Sequence, residues 1–301
     1  MESYHLCTAW NWEHDADFVL FLEEACSIRE LSLLEISPVN LDTVLKSLYD
    51  SRITFESFID RASDEDLRFM PLVEWARDHA RIRINPFETA IRTWNKAHMH
   101  SVLINAGIYT PYTFILPPFE KQPDLPPLDL SPLQSKSFTL KPAHGGGGKG
   151  VVVGATSFKQ VQDARQEFPT DEYLVQTQIL PVQLGSKTAY FRIICCNDRI
   201  YPCWWDIDTH VYAPLTSEDE TQFSLTPLWN ITRTISQLSG LHLFSTEIAL
   251  TADGNFVVVD YVNDQIDLRI QSKAHDGVPD HIVRDIAHNL VSIITNHLQK
   301  V

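Results

Sequence analysis

The chain has 301 residues, of which 44% are hydrophobic and 21% are charged, and its net charge is −15 at pH 7. A chain of this length and composition is long enough to bury a large hydrophobic core and to divide into about two or three domains. The excess of acidic residues argues against a nucleic-acid partner, since phosphate backbones favour a basic surface, and also against binding to an anionic membrane.

The cysteine pattern bears on the cellular compartment. The chain has five cysteines and no C-x-x-C pair. This pattern predicts neither a disulfide framework nor a zinc site, so we expect buried, reduced thiols in a cytoplasmic protein. We expect no signal peptide, because the first residues lack a basic region followed by an apolar one. No stretch reaches the roughly 20 apolar residues of a membrane-spanning helix.

The first ninety residues alternate between two patterns. Short apolar segments at 4–10, 31–37 and 53–60 predict strands, and segments at 15–28, 41–49 and 69–80 have the apolar spacing of helices. Strands separated by helices are typical of βαβ units, so this part of the chain is predicted to be α/β with a mostly parallel sheet.

The remainder of the chain has a different organisation. A helix is predicted over 94–107 with Gly107 at its end, followed by a proline-rich surface connection over 117–132. The turn dipeptides Asn197-Asp198 and Asp253-Gly254 then predict two β-hairpins. These hairpins indicate an antiparallel α+β region.

Two further helices are predicted in this region. One begins at Ser217, which forms a capping-box pattern with Glu220, and ends at Gly240. The other begins near Pro279 and has a single apolar stripe.

Glycine is concentrated in the segment KPAHGGGGKG at 141–150. A Walker A loop is excluded, because that motif requires Ser or Thr after Gly-Lys. A dinucleotide-binding loop would lead into a helix, whereas the strand-like sequence VVVG follows here. A glycine loop between two strands is typical of a flap that covers nucleotide phosphates with backbone N–H groups, and Lys141 lies on the strand before it. The alternative interpretation is an exposed hairpin tip without function.

Two carboxylates and an amide surround the second hairpin. Glu247 lies six residues before Asp253 and Asp260 lies six residues after Gly254, so the hairpin can bring the two carboxylates opposite each other. Asn263 follows three residues later. Oxygen ligands of this kind suit Mg²⁺ shared with a phosphate chain. For Glu247 alone, the alternative is an acid that faces solvent.

Other polar and aromatic residues invite interpretation. Arg192 interrupts the apolar run YFRIICC, which favours a role in a pocket. Trp205 is interpreted as either part of a substrate site or core packing. His98 and His100 are two residues apart on a predicted helix, a spacing unsuited to a shared metal, and we expect them at the surface or as capping residues.

With these features in order along nearly the whole chain, the sequence resembles the ATP-grasp superfamily, above all its glutathione-synthetase-like and ribosomal-protein glutamate-ligase-like branches. The segments that resemble the family are IDRAS (59–63), IRIN (82–85), the helix and Gly-Ile-x-x-Pro of 90–111, the flap FTLKPAHGGGGKGV (138–151), the adenine-hinge strand EYLVQTQI (172–179) and the arginine-bearing strand pair of 185–200. The thirteen-residue step from Glu247 to Asp260 resembles the D-alanine–D-alanine ligase branch.

The resemblance implies an α/β and α+β architecture, the ATP-grasp fold with an N-terminal α/β pre-ATP-grasp domain. The implied boundaries are 1–92 for that domain and 93–301 for the ATP-grasp domain, the latter with a glycine-flap subdomain at about 110–180 and a metal-binding subdomain at about 181–301.

The resemblance also implies roles for individual residues. The residues implied in catalysis and phosphate binding are Lys141 and Arg192. Further contacts with ATP are implied for Lys96, His144, Gly145, Gly146, Gly147, Gly148, Gly150, Val175, Gln176, Gln178 and Ile179. The implied Mg²⁺ ligands are Glu247, Asp260 and Asn263, and the implied substrate contacts are Trp205, Asp267 and Arg269. For His144, an ordinary loop position is an equal alternative.

The sequence departs from the family pattern after Asp260. The family has Glu-x-Asn, whereas this chain has one extra residue before Asn263, so a β-bulge or a strand end is required to bring Asn263 to the face of Asp260. The family's Pro-Gly is replaced by NDQIDLR, which is why Asp267 and Arg269 are predicted to contact substrate.

The implied activity is that of an ATP- and Mg²⁺-dependent ligase. It would join a small-molecule or peptide carboxylate to an amine through an acyl-phosphate and release ADP and phosphate. A small-molecule kinase and a nucleotide-binding protein without turnover are the alternative functions. The sequence leaves open whether the protein forms a homo-oligomer.

Overall fold

The computed structural model describes residues 1–133 and 137–299. The parts of the predicted flap and metal-binding subdomains at 134–136 and 300–301 lie outside the described residues.

The N-terminal region has the predicted alternation of strands and helices. Its elements are β1 (Glu2–Trp10), α1 (Ala16–Ile28), β2 (Leu33–Ile36), α2 (Leu41–Tyr49), β3 (Ile53–Arg61), α3 (Met70–His79) and β4 (Ile82–Ile84). The strands form a parallel sheet, as predicted, and their order is β2-β1-β3-β4. Because β1 and β3 are parallel neighbours, the loops that follow them lie side by side at one edge of the sheet.

The middle of the chain contains two helices and a second sheet. The elements are α4 (Phe87–Trp94), α5 (Lys96–Asn105), β5 (Thr113–Leu116), β6 (Phe138–Pro142), β7 (Val152–Ala155), α6 (Phe158–Arg165) and β8 (Tyr173–Thr177). The strands are antiparallel in the order β5-β8-β6-β7. The flap therefore connects two strands that pair with each other.

The helix predicted over 94–107 starts two residues later than expected. Asn95 caps α5 by accepting a hydrogen bond from the His98 N–H at 2.8 Å, and a separate helix, α4, precedes it. Gly107 ends the helix with a φ of 76°, as predicted. The predicted domain boundary between 92 and 93 falls within α4, and the division into domains stays a prediction.

The C-terminal region contains the largest sheet. Its elements are β9 (Gln183–Leu184), β10 (Lys187–Thr188), β11 (Tyr190–Cys196), β12 (Arg199–Trp205), β13 (Tyr212–Pro214), α7 (Ser217–Phe223), α8 (Pro227–Ser239), β14 (Leu243–Leu250), β15 (Phe256–Asn263) and α9 (Asp280–Leu298). Five strands are antiparallel in the order β13-β12-β11-β14-β15, while β9 and β10 pair separately. Both predicted hairpins are confirmed, β11–β12 and β14–β15.

The prediction of one helix from Ser217 to Gly240 was wrong. Ser224 has a φ of 55° and Pro227 lacks an N–H donor, so the segment divides into α7 and α8. The capping box is formed by Thr216 and Asp219, one residue earlier than the predicted pair. Gly240 ends α8 with a φ of 71°, as expected.

The N-terminal and C-terminal regions share a core. Leu6, Phe18 and Leu22 belong to the same buried cluster as Ile286 and Leu290 of α9. This packing fixes the loops after β1 and β3 relative to the end of β15. All five cysteines are buried and free, as expected. Within 1–133 and 137–299, none of the helices combines the length and apolar character needed to cross a membrane.

Candidate functional site

The glycine flap is an exposed loop between β6 and β7. Gly145, Gly147, Gly148 and Gly150 all have positive φ, a conformation that glycine adopts without strain. At Gly150 the close approach of the Phe168 ring adds a second constraint, because a Cβ atom there would lie 2.4 Å from it. The flap is thus held at its C-terminal end by this contact, whereas open space surrounds its other glycines.

The N-terminal end of the flap is held by four polar contacts, two made by His144 and two by Lys96. The backbone N–H of His144 donates to Asp171 at 2.7 Å, and the His144 Nδ1 lies 2.8 Å from the same carboxylate. Lys96, at the start of α5, donates its backbone N–H to the Ala143 carbonyl at 2.7 Å and its Nζ to the Gly145 carbonyl. Lys96 therefore lies at the base of the flap, and His144 is oriented by Asp171.

Lys141 connects the flap sheet to the C-terminal sheet. Its Nζ donates to the carbonyl oxygen of Val259, next to Asp260 on β15, at 3.1 Å. Burial lowers the pKa of Lys141, while the charges of Asp260 and Glu247 oppose that shift. The lysine ammonium is therefore within electrostatic reach of both carboxylates.

Glu247 and Asp260 are direct cross-strand partners, which confirms the predicted juxtaposition. Glu247 also faces Arg192 on the central strand β11, with Arg192 Nη1 3.4 Å from Glu247 Oε1. The hydroxyl of Tyr190 donates to the other oxygen of Glu247 at 2.8 Å. Burial raises the pKa of Glu247, Arg192 opposes this, and the charge of Asp260 raises it further.

The strand β15 contains two irregularities beside these carboxylates. Ser245 pairs with Asn263, Glu247 with Asp260 and Ile248 with Val258, so β15 has an extra residue on each side of Asp260. The first of these is the bulge that the sequence required for Asn263, and it returns that residue to the face of Asp260. Within this bulge, the hydroxyl of Thr246 donates to the backbone carbonyl of Asp260 at 2.9 Å.

The side-chain amide of Asn263 provides a test of whether a metal fits here. Its Nδ2 is buried without a hydrogen-bond partner among the described residues, which leaves this donor for an oxygen of a ligand such as a phosphate, while the amide oxygen is the atom that could bind a metal. Two carboxylates that face each other across a hairpin also repel, and a cation between them relieves that repulsion. In the described part of the chain no group of three or more His, Cys, Asp or Glu side chains could hold a metal. Mg²⁺ would therefore depend on these two carboxylates, the amide and the phosphates.

The bulge residue Tyr261 is held by a buried polar network. Its hydroxyl lies 2.7 Å from His100 Nδ1 and accepts from Gln176 Nε2 at 2.7 Å. Burial lowers the pKa of His100 to about 4, so the ring is neutral near pH 7, and its tautomer sets which of the two groups donates in the bond to Tyr261. The expectation that His100 lies at the surface was wrong: it faces inward from α5 and bonds to β15.

Replacing Tyr261 with phenylalanine is expected to lower the free energy of unfolding by about 1–3 kcal/mol, since His100 and Gln176 would both lose a buried partner. Because the bulge aligns Asp260 with Asn263, the stabilisation by ATP with Mg²⁺ that the sequence predicts should also weaken. Chemical denaturation and thermal unfolding with and without ATP and Mg²⁺ measure the two effects. Tyr112→Phe, at an exposed tyrosine, is the control. Equal behaviour of the two variants would contradict a role for the network.

The predicted adenine-hinge residues divide into two groups. Val175 and Gln176 lie on β8 between β5 and β6, so neighbouring strands face their backbone groups on both sides. Along this stretch of the described chain, the backbone hydrogen bonds stop at the Thr177 N–H and resume at the Val182 N–H. Among the described residues, Gln178 and Ile179 therefore have backbone groups without a backbone partner, unlike Val175 and Gln176.

The three predicted substrate residues have different surroundings. Trp205 is buried, stacks on His210 and lies 4.8 Å beneath the Arg192 guanidinium, so it supports that arginine. Arg269 is bound by the carboxylates of Asp267 and Asp276 at 2.6 and 2.8 Å. Of the three residues, Asp267 lines a cavity, which has a volume of about 490 Å³.

Sequence reasoning missed several polar residues near the site. Tyr190 lies two residues before Arg192 on the same face of β11, and this alternation was the available signal. Asp15 and Arg61 form a buried ion pair, with Arg61 Nη2 2.7 Å from Asp15 Oδ1. No local pattern predicts that pair, although the segment containing Arg61 was noted for its resemblance to the family.

Comparisons with known proteins bear on the fold. No protein-family model matches the chain, and no curated protein matches it in sequence. Among solved structures, it is similar to the macrocyclase MdnC from Microcystis aeruginosa bound with the precursor peptide MdnA, with 10% identity, a TM-score of 0.65 and coverage of 95% of this chain and 99% of MdnC.

Two further structures are similar over comparable lengths. A RimK domain protein of the ATP-grasp type from Sphaerobacter thermophilus has 20% identity and a TM-score of 0.61, covering 95% of this chain and 98% of its own. The D-alanine–D-alanine ligase from Bacillus anthracis, complexed with ATP, has 12% identity and a TM-score of 0.61, covering 98% and 99%. The chain therefore has the ATP-grasp fold, which confirms the fold expected from the sequence.

Proposed function

We propose that the protein is an ATP- and Mg²⁺-dependent ligase that joins a carboxylate to an amine. The observation that carries the proposal is the contact of Lys141 Nζ with the Val259 carbonyl at 3.1 Å. This contact brings a lysine of the flap sheet to the Glu247–Asp260 pair of the other sheet. A nucleotide lying between the two sheets would have ammonium groups on one side and metal-binding oxygens on the other.

ATP would be bound mainly through its phosphates. Lys96 and Lys141 supply positive charge, and the flap from Gly145 to Gly150 supplies backbone N–H donors. The backbone of Gln178 and Ile179 would take the adenine edge. The complex of ATP with the structurally similar D-alanine–D-alanine ligase supports this choice of nucleotide.

The residues that would hold Mg²⁺ are Glu247, Asp260 and Asn263. Their carboxylate and amide oxygens are the hard ligands that Mg²⁺ prefers, and the metal usually completes its shell with water and phosphate. When bound, the ion would neutralise phosphate charge. The protein's own cations, Lys141 and Arg192, stand beside these ligands and would neutralise the remainder.

The reaction follows from this distribution of charge. A carboxylate oxygen of the substrate attacks the γ-phosphorus of ATP, and the bond from that phosphorus to the ADP oxygen breaks. The amine nitrogen then attacks the acyl carbon of the acyl-phosphate, the bond from carbon to the phosphate oxygen breaks, and the nitrogen loses a proton. The products are an amide, ADP and phosphate. Closure of the flap would exclude water, which otherwise hydrolyses the acyl-phosphate.

The carboxylate is proposed to belong to a peptide or a small molecule. MdnC is bound with a precursor peptide and another similar structure is a D-alanine–D-alanine ligase, so this fold accommodates substrates of both sizes. The site itself favours neither.

The test is ATP turnover with a panel of carboxylates and amines, in which γ-labelled phosphate is followed. A ligase releases the label as free phosphate together with an amide. A small-molecule kinase, the first alternative, leaves the label on the product. ATP binding without any turnover across the panel would favour the second alternative, a nucleotide-binding protein.

The variant Asp260→Asn is expected to lower turnover by at least about 100-fold, because loss of even an outer contact of a metal site costs about 10- to 100-fold. Asp253→Asn is the matched control: it lies at the exposed tip of the same hairpin and creates an Asn-Gly turn that keeps the hairpin. Unchanged ATP binding and turnover in Asp260→Asn would exclude the proposed metal site.

A further inference from the structure

A cavity of about 490 Å³ lies between the N-terminal sheet and the segment that follows β15. Its lining includes the ion pair of Asp15 and Arg61, the further acidic side chains of Asp64, Glu65 and Asp267, and the indole of Trp12. The volume is within the range of about 300–1,000 Å³ that is typical of small-molecule sites.

The position of the cavity is the one where open parallel sheets bind ligands. In the order β2-β1-β3-β4, the chain leaves β1 for one side of the sheet and later returns to the other side at β3. Asn11 and Trp12 follow β1, while Asp64 and Glu65 follow β3. The cavity therefore lies at the carboxyl ends of the two strands where the direction of the chain reverses, which is the usual ligand crevice of such sheets.

The charges of the lining are unbalanced. Arg61 binds Asp15 through both its Nε and Nη2, at 2.9 and 2.7 Å, and Nη2 also donates to the Ile266 carbonyl. That ion pair is almost fully buried. Because its two charges neutralise each other, it forms part of the cavity wall without adding net charge. Asp64 and Glu65, which also line the cavity, are exposed, and no ion pair involves either within the described ranges. Two uncompensated carboxylates favour a cationic ligand.

The chain that follows β15 joins the cavity to the proposed metal site. Asn263, a proposed Mg²⁺ ligand, is the last residue of β15, and Gln265, Ile266 and Asp267 after it line the cavity. A ligand in the cavity would therefore lie close to the proposed metal site along this segment.

We propose that this cavity binds the amine substrate and that this substrate carries a second cationic group, as in a diamine or a derivative of a basic amino acid. The inference rests on the ligase function proposed above. The second cation would lie against Asp64 and Glu65, and the reacting nitrogen would lie at the Asp267 end. The indole of Trp12, which is 40% exposed and has the Arg269 guanidinium over its ring at 5.9 Å, would contact the hydrocarbon chain of the substrate.

The test uses three probes with the same five-carbon chain and the same amine but different far ends: 1,5-diaminopentane, 5-aminopentan-1-ol and 5-aminopentanoate. Their apparent affinities for the full-length protein are measured by thermal unfolding at low ionic strength, where exposed charges are least screened. We expect the diamine to bind most tightly and the carboxylate most weakly. The double variant Asp64→Asn/Glu65→Gln should bind the diamine about five- to tenfold more weakly, as for two exposed charge pairs, and should no longer distinguish it from the alcohol.

The control variant is Glu74→Gln, an exposed acid on α3 away from the cavity, which should behave as the wild type. It also tests for general attraction of cations to a chain of net charge −15. Equal affinities for the three probes in the wild type would overturn the proposal, as would the same order of affinities in the double variant.

ATP with Mg²⁺ is added to parallel samples so that the two proposals can fail separately. If ATP stabilises the protein but the probes are not distinguished, the cavity assignment is wrong and the nucleotide site stands. If the probes are distinguished as expected but ATP has no effect, the cavity is a cation site, and its assignment to an amine substrate is overturned together with the ligase proposal.

Discussion

Replacing Lys141 with alanine is expected to remove most of the thermal stabilisation that the proposed binding of ATP with Mg²⁺ would give the wild-type protein. The Lys141 ammonium is the group that connects the flap sheet to the hairpin bearing Glu247 and Asp260. ATP at about 100 times its Kd adds roughly 2.7 kcal/mol to the free energy of unfolding, which a thermal scan detects easily. Turnover should fall by about 10²- to 10³-fold, the usual effect of losing one group that stabilises developing charge.

The control for this variant is Lys159→Ala. Lys159 is an exposed lysine of α6 that pairs with Asp163 at 2.7 Å, so its replacement removes the same charge from the same sheet-and-helix unit without approaching the hairpin. The scan is repeated without ATP for each protein, which separates a loss of intrinsic stability from a loss of binding. A full ATP shift in Lys141→Ala would show that Lys141 does not contact the nucleotide, and the placement of ATP between the two sheets would have to be abandoned.

Replacing Glu247 with glutamine is expected to change stability and activity in opposite directions. Burial raises the pKa of Glu247, so its ionised form is disfavoured in the folded protein. The stability that the carboxyl group contributes is then fully present below its unfolded pKa of about 4.3 and is lost as the pH rises through the folded pKa. Glutamine resembles the protonated form at every pH. In metal-free solution, the variant should therefore have a higher Tm than the wild type at pH 7–8, and this difference should disappear toward pH 4.

Turnover and Mg²⁺-dependent ATP binding should fall in the same variant by at least about 100-fold, as expected for a metal ligand. An exposed acid, Glu120→Gln, is the control for the general effect of one charge on a chain of net charge −15. A carboxylate that serves stability alone would give the opposite pattern, with a lower Tm for the variant and unchanged activity. Gains in stability from the loss of a charged side chain are typical of functional sites, where charge is retained against its desolvation cost.

The hairpin β14–β15 shows how far local sequence determines the candidate site. Asp253-Gly254 defines the turn, and counting outward along both strands predicts that Glu247 faces Asp260, as the structure has it. The same counting shows that Asn263 requires a bulge. It does not show where the bulge lies or what holds it, because Tyr261 is fixed by His100 and Gln176, which are 161 and 85 residues away in sequence.

The adenine hinge and the cavity show where local sequence is insufficient. The segment 172–179 predicts a strand, but which of its residues have free backbone groups depends on β5 and β6 pairing on either side. The cavity is assembled from loops after β1 and β3 and from residues after β15, with Arg61 bonded to a carbonyl 205 residues later. Such contacts join segments whose separation leaves no periodic signal in the sequence.

The sequence alone determined the alternation of the N-terminal strands and helices, the glycine flap between two strands, the two hairpins and the residue types of the candidate site. These features depend on side-chain periodicity, turn chemistry and glycine conformation, which act over a few residues. Only the tertiary structure decided the partners of Lys141, Arg192 and His100, the two bulges of β15 and the cavity at the edge of the parallel sheet. Those features depend on packing between distant segments, where burial and charge set the free energy of each contact and the local pattern has no influence.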